Sequence, residues 1–238
     1  FLNLCYVLNN MLNPLRTNHK DSILIASKKE QHEAIESLIQ QGSMKNGYYL
    51  LLMIATAIVT PGLLMNNVAV IIGGMILAPL MIPLLSISLS LVSGSLHGLL
   101  RSLRILAISI ILTLSLSAIL TLALSQYDVI TWIPEQITPG VYIFIAFCSG
   151  LAGAFAWVKK NLSSSAAGVA IAVSLLPPLC ASGIGMALGQ FVLVRNSLVI
   201  FGANLVGICM AGFIVFWMLG FLNSGRTEEK EIEKTEQA

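Results

Sequence analysis

Gly73-Gly74-Met75-Ile76-Leu77-Ala78-Pro79-Leu80-Met81-Ile82-Pro83 is the stretch whose reading decides the fold. It lies inside an apolar run, about residues 68–92, that holds no ionisable side chain. A helix needs roughly 20 apolar residues to cross about 30 Å of hydrocarbon, so this run is long enough to span a bilayer. Proline removes an N–H and crowds the carbonyl four residues back. The span is therefore expected to break near its middle, where open backbone groups persist only if protein or water satisfies them.

Five further runs of similar character flank it, at about 47–65, 105–125, 139–157, 165–188 and 198–221. Hydrophobic residues make up 56% of the 238 positions, the mean hydropathy is +0.87 and only 10% of residues are charged. Soluble domains carry about 25% charged residues, and one core of this size could not hide so much apolar surface. Between Gly47 and Phe221 the ionisable residues besides His97 are Arg101, Arg104, Asp128, Glu135, Lys159, Lys160 and Arg195, all placed between apolar runs. The reading is an all-α, polytopic transmembrane helical bundle of about six spans, covering residues 47–222. Tyr48, Tyr49, Trp132, Tyr142, Trp157 and Trp217 fall near the expected ends, where half-polar rings prefer the headgroup zone.

The basic residues set the expected orientation. Arg16, Lys20, Lys28, Lys29 and Lys45, then Arg101 and Arg104, then Lys159 and Lys160 fall on one side with the C-terminal tail. The other side has Arg195 and a 126–138 loop with Asp128 and Glu135. The positive-inside rule then puts both termini in the cytoplasm. Arg101, Arg104, Lys159 and Lys160 are read as residues that hold topology and touch anionic lipid.

Residues 1–46 read as a cytoplasmic lead-in without a signal peptide. Within it, Asp21 to Ser27 reads as a short strand. Lys28 to Gln41 reads as an amphipathic helix with Ala34, Ile35, Leu38 and Ile39 on one face and Gly42 as a stop. The tail, 223–238, is acidic and polar and is expected to be disordered.

Two halves, 47–125 and 139–221, resemble each other. Laying Asn66–Leu80 on Ser165–Leu179 matches Val70/Val169, Ile72/Ile171, Leu77/Leu176, Pro79/Pro178 and Leu80/Leu179. Leu99–Leu103 likewise resembles Leu193–Leu198. Halves of three spans must face opposite ways, so the pattern points to an inverted repeat, the arrangement of many secondary transporters. Coincidence between two Leu/Ala-rich helices is the competing reading. Under the repeat, Ser174-Leu175-Leu176-Pro177-Pro178-Leu179 is expected to break span five as Pro79 and Pro83 break span two. Paired breaks of this kind mark a central site in transporters, and a plain packing kink is the bland alternative.

Candidate pathway residues follow from the same logic. Asn67, Gly73, Gly74, Pro79, Pro83, Pro177 and Pro178 surround the two expected breaks. Ser109, Thr113, Ser117, Thr121 and Ser125 recur every fourth residue and so share one helix face, with Ser86 and Ser90 a shorter pair. Hydroxyls on such a face line a polar path or, more often, join helices or bond back to their own carbonyls. Asn204 is the lone carboxamide of the sixth run and needs a polar partner at that depth. Asn66 and Asn67 suit the cap of the second span. Gly185 and Gly189, Ser149 and Gly153, and Gly207 and Ala211 allow close helix crossings, within one subunit or in a homo-oligomer.

Absences narrow the function. No acid or base lies within a run, which argues against proton coupling through a buried carboxylate. No phosphate loop, zinc motif or nucleophile–base set is present, so no metal, no cofactor, no enzyme activity and no nucleic-acid partner are expected. Cys5, Cys148, Cys180 and Cys209 have no metal-type spacing and read as packing residues. Two function classes remain: a carrier or pore for a small neutral or anionic solute or lipid, and a non-transporting scaffold or sensor.

Asn67-Val68-Ala69-Val70-Ile71-Ile72-Gly73-Gly74-Met75-Ile76-Leu77-Ala78-Pro79-Leu80-Met81, with Gly150–Gly153, Gly168–Leu179 and Asn204-Leu205-Val206, resembles a prokaryotic hydrophobic-domain family, domain of unknown function 389. The likeness runs from about Tyr48 to Phe221, although Ile82 stands where that family commonly has glycine. The resemblance implies a multi-pass protein of a bacterial or archaeal cell membrane and brings no activity with it.

Overall fold

The computed structural model describes residues 26–43, 45–124, 138–159 and 164–237. Most of the expected strand at Asp21–Ser27, the 126–138 loop, Ser125, Cys5 and Lys160 lie outside the described residues. Among those described, regular structure is wholly helical.

Helix α1, Lys28–Ser43, starts at a capping box. Ser27 Oγ accepts the Glu30 N–H at 3.2 Å, and Glu30 Oε2 accepts the Ser27 N–H at 2.7 Å. Its buried face is Ala34, Ile35, Leu38 and Ile39. The helix α2, Lys45–Leu64, follows. It ends where Asn66 takes a left-handed φ of 55°, and Asn67 then caps α3, Val68–Leu77. The Asn67 Oδ1 accepts the N–H groups of Ala69 and Val70 at 3.1 and 3.3 Å. The α2–α3 hairpin is tight because Gly62 and Gly74 carry no side chain. A Cβ on Gly74 would sit 2.6 Å from Val59 Cγ2.

The break comes where the sequence places it. Ala78, forced out of the helical region by the following proline, has φ −75° and ψ 121° and closes α3. A new helix, α4, Met81–Ser93, leaves at 50°. Pro83 lies in its first turn, where a missing N–H costs nothing. Left-handed Gly94 ends α4, and Ser95 caps α5, Leu96–Ala123, by accepting the Gly98 N–H at 3.1 Å.

The remaining helices are α6, Pro139–Val158; α7, Ser164–Ala187; α8, Phe191–Met218; a short 3-10 turn, Phe221–Asn223; and α9, Gly225–Gln237. Helix α4 is buried almost all round, and α7 touches α2 through α6 and α8, so these two form the centre. Helix α5 buries one stripe and turns Leu100, Ile111, Ile119 and Leu122 outward. A Cβ on Gly207 would meet Ile143 O at 2.6 Å, so the α6–α8 crossing depends on a bare backbone.

Four helices (α2, α5, α6 and α8) are long and apolar enough to cross a membrane, and α3–α4 together make a fifth, bent span. The expected sixth is α7, of which Leu175–Ala187 is recognised as a shorter apolar helix.

Two expectations fail. Span five is not broken: α7 runs on through Pro177 and Pro178. Proline's fixed φ is the helical value, so the pair removes two N–H donors without redirecting the chain. Leu175, Leu176, Pro178 and Leu179 are packed on all sides, and that enclosure outweighs the local preference before proline. The matching of breaks between the halves is therefore lost. The tail is not disordered either. Its Gly225–Gln237 segment is α9, packed on α1 with Ile232 buried between them.

Candidate functional site

The fourfold hydroxyl spacing of α5 points inward. Ser109, Thr113, Ser117 and Thr121 are all buried, and hydroxyls of α2 and a carbonyl of α7 meet them. Thr60 Oγ1 donates to Ser117 Oγ at 3.1 Å, and Ser117 Oγ donates to Cys180 O at 2.8 Å. One chain of hydrogen bonds thus crosses three helices. Gly183 brings α7 close enough for it, since a Cβ there would lie 2.8 Å from Leu114 O. Nearer the α1 end, Tyr48 Oη and Ser109 Oγ are 3.0 Å apart, while Ser109 also donates to Ile105 O at 2.7 Å.

Other hydroxyls are spent locally. Thr56 donates to Leu52 O, and Thr121 to Ser117 O. On α4, Ser88 lies 3.0 Å from Leu84 O and 3.2 Å from Cys209 O, which ties the broken span to α8. Three buried hydroxyls (Thr113, Ser182 and Ser197) have no partner among the described residues. A buried polar group left unmatched costs about 1–3 kcal/mol.

The break and the hydroxyl seam both border α7, which touches α3, α2 and α5. The predicted residues divide accordingly. Pro79 forms the break and is half-buried, while Pro83 is enclosed in α4. Ser109, Thr113 and Ser117 make the seam. Asn67 is an exposed cap, Gly73 faces open space and Gly74 is a packing glycine. Asn204 is buried on α8 and has a partner. Pro177 and Pro178 lie within α7, one turn before the Cys180 carbonyl. Thr56 and Thr60 are not among the candidate pathway residues, and Tyr48 is expected only as an aromatic near a span end, although the four-residue spacing of the two threonines on α2 carries the same signal as that of α5.

Charged residues at the α1/α9 end do more than mark topology. Lys159 Nζ pairs with both Glu30 oxygens at 3.1 Å, tying α1 to α6. Burial pushes the Glu30 carboxyl up, but donors from Ser27 and Lys159 outweigh it and leave the group below its ordinary value. Arg104 is exposed. Arg101 instead lines a cavity of about 20 Å³, room for about one water, with Ser86, Gly98, Ser102 and Glu228. Glu228 of α9 is buried, its Oε1 and Oε2 each 2.5 Å from the hydroxyls of Ser90 and Ser93 on α4. A side chain on Gly98 would overlap this carboxyl, and one on Gly225 would strike Ser93 O.

These features define a multi-pass helical membrane protein built around one proline-broken span. The profile of the family described as Domain of unknown function (DUF389) matches residues 75–210, more than half of the chain, and the chain belongs to that family. An uncharacterized protein of Methanocaldococcus jannaschii is 30% identical over 203 residues, which is 81% of this chain and 63% of that relative's length. The chain thus spans less than two thirds of the relative it matches. No solved structure matches it.

Proposed function

We propose that the chain is a carrier or pore for a small neutral or anionic solute, or for lipid. It would lie in the inner membrane of a prokaryotic cell, with six spans and both termini in the cytoplasm. The observation that carries this is the 50° break at residues 78–80, in a bundle that also holds buried, partly unmatched hydroxyls. Helix α4 begins at that break, and the partial positive charge of a helix N-terminus suits an anionic or dipolar solute. Hydroxyls of α5 offer hydrogen bonds without charge. Liposomes carrying the purified protein provide the test. Flux of a panel of small anions, neutral solutes and labelled lipid is compared with that of Pro79→Ala, with Ser115→Ala as a surface control. A loss confined to Pro79→Ala supports the reading. Equal flux in all three, or none for any solute, counts against it.

The docked pair α1 and α9 favours a second reading, an oligomeric scaffold or sensor whose working surface is that platform. Deleting residues 225–237 and finding a co-purifying protein lost, with no flux in any form, would select it.

A further inference from the structure

The buried carboxyl of Glu228 is used by neither reading, and proton counting gives it a role. Ser90 Oγ stands 2.9 Å from Ser86 O and 2.5 Å from Glu228 Oε1. Ser93 Oγ stands 2.5 Å from Glu228 Oε2 and 3.4 Å from Ser90 O. A hydroxyl owns one proton, and a backbone carbonyl only accepts. With Glu228 ionised, Ser90 faces two acceptors with one proton, so one of the two contacts goes unserved. With Glu228 neutral, its own proton serves Ser90 Oγ, Ser90 serves Ser86 O, and Ser93 serves the other carboxyl oxygen. Every close contact then carries one proton.

We propose that Glu228 is a proton-binding site and that α9 docks on the bundle as its neutral acid, held by protonation and released by deprotonation. The surroundings agree. Burial pushes the carboxyl up, Glu229 adds to this, and the two serines and Arg101 oppose it without reversing it. From α5, Arg101 is the charge at the cavity, while His97 and Arg104 are exposed. Helix α4, which carries no charged residue, brings Ser90 and Ser93 to the carboxyl and Ser86 to the cavity, and α1 brings Leu38 and Ile39. Glu231 is engaged by Lys234 at 2.6 Å, with Glu36 of α1 also acting on that lysine. The first-turn position of Glu228 favours an anion, but by less than the burial of its charge costs.

The sign follows. A docked carboxyl with a raised pKa binds its proton more tightly than the released one, whose ordinary value is 4.5. Docking is complete below that value and is lost as pH rises through the docked one. For each unit between them, release becomes tenfold easier.

The test uses the full chain in lipid nanodiscs and does not depend on transport. Amide exchange of residues 225–237 is followed by mass spectrometry from about pH 5 to about pH 9, corrected for intrinsic exchange, in wild type and Glu228→Gln. Wild-type protection should be lost as pH rises through the docked value, while the neutral glutamine keeps α9 protected throughout. An infrared carbonyl band of a protonated acid should be stronger in wild type than in the variant at low pH, by the one carboxyl exchanged. Flat wild-type protection overturns the proposal and does not need the variant to fold, and a band equal in the two proteins also overturns it. Loss of α9 protection at every pH in a well-folded Glu228→Gln would overturn it too, because docking would then need the carboxylate.

Discussion

Replacing Ser117 by alanine tests whether the seam between α2, α5 and α7 holds the bundle together. Ser117 accepts from Thr60 at 3.1 Å and donates to Cys180 O at 2.8 Å, and it is fully buried. Side-chain hydrogen bonds inside membrane proteins are worth about 0.6 kcal/mol on average and at most about 1.7. Two of them give about 1.2 kcal/mol. The variant also strands the Thr60 hydroxyl, but a threonine in a helix can turn back to the carbonyl four residues earlier, here that of Thr56. The net loss should be about 1–2 kcal/mol. Equilibrium unfolding in mixed detergent micelles measures it, with Ser115→Ala as reference. Ser115 is exposed on the same helix and, among the described residues, bonds to Leu112 O of its own helix, so it should cost nothing measurable. A cycle with Thr60→Val should show a coupling of about 0.6 kcal/mol. If Ser117→Ala falls within about 0.3 kcal/mol of Ser115→Ala, or the coupling vanishes, the seam holds nothing and its hydroxyls are incidental.

Gly207→Ala should destabilise by about 1–3 kcal/mol in the same assay, because its methyl meets backbone at Ile143 rather than a movable side chain, whereas Gly202→Ala, with open space around it, should be neutral. Ser27→Ala should cost α1 about 0.5–2 kcal/mol, read as faster amide exchange over residues 28–43. The Glu30–Lys159 contribution should run opposite to that of Glu228: the Glu30 carboxyl is held below its ordinary 4.5, so α1 protection is present above that value and fades as pH falls through the lower, docked one. The effect is small because the pair is partly solvated, and Glu30→Gln should remove it.

Much of this architecture is legible in the chain because membrane helices announce themselves by length and apolarity. The break is legible for a local reason: a residue before proline resists the helical region, and Ala78 obeys that rule. The unbroken α7 is not legible, because the rule there is overridden by six neighbouring helices, and no local pattern reports how tightly a segment will be enclosed. The inward face of α5 is readable from its period. Its partners Thr60 and Cys180 are not, since spacing within one helix says nothing about which neighbour it meets.

The tail shows the opposite failure. Gly225–Gln237 has Ile232 as its one large apolar residue and so no apolar period, and its buried side chains include that residue but also Glu228 and Glu231. Its helix signals are of another kind: Ser224 before the first turn, acids early and Lys234 late. Burial of an acid is invisible to composition because it depends on what the other chain segment offers, here two serines one turn apart at the end of α4. Those serines follow the proline break by about one helix length, so α4 is a rigid rod with an interrupted backbone at one end and a carboxyl lock at the other. No acid lies within an apolar run of the sequence, yet the fold brings one from outside the spans, Glu228, against α4.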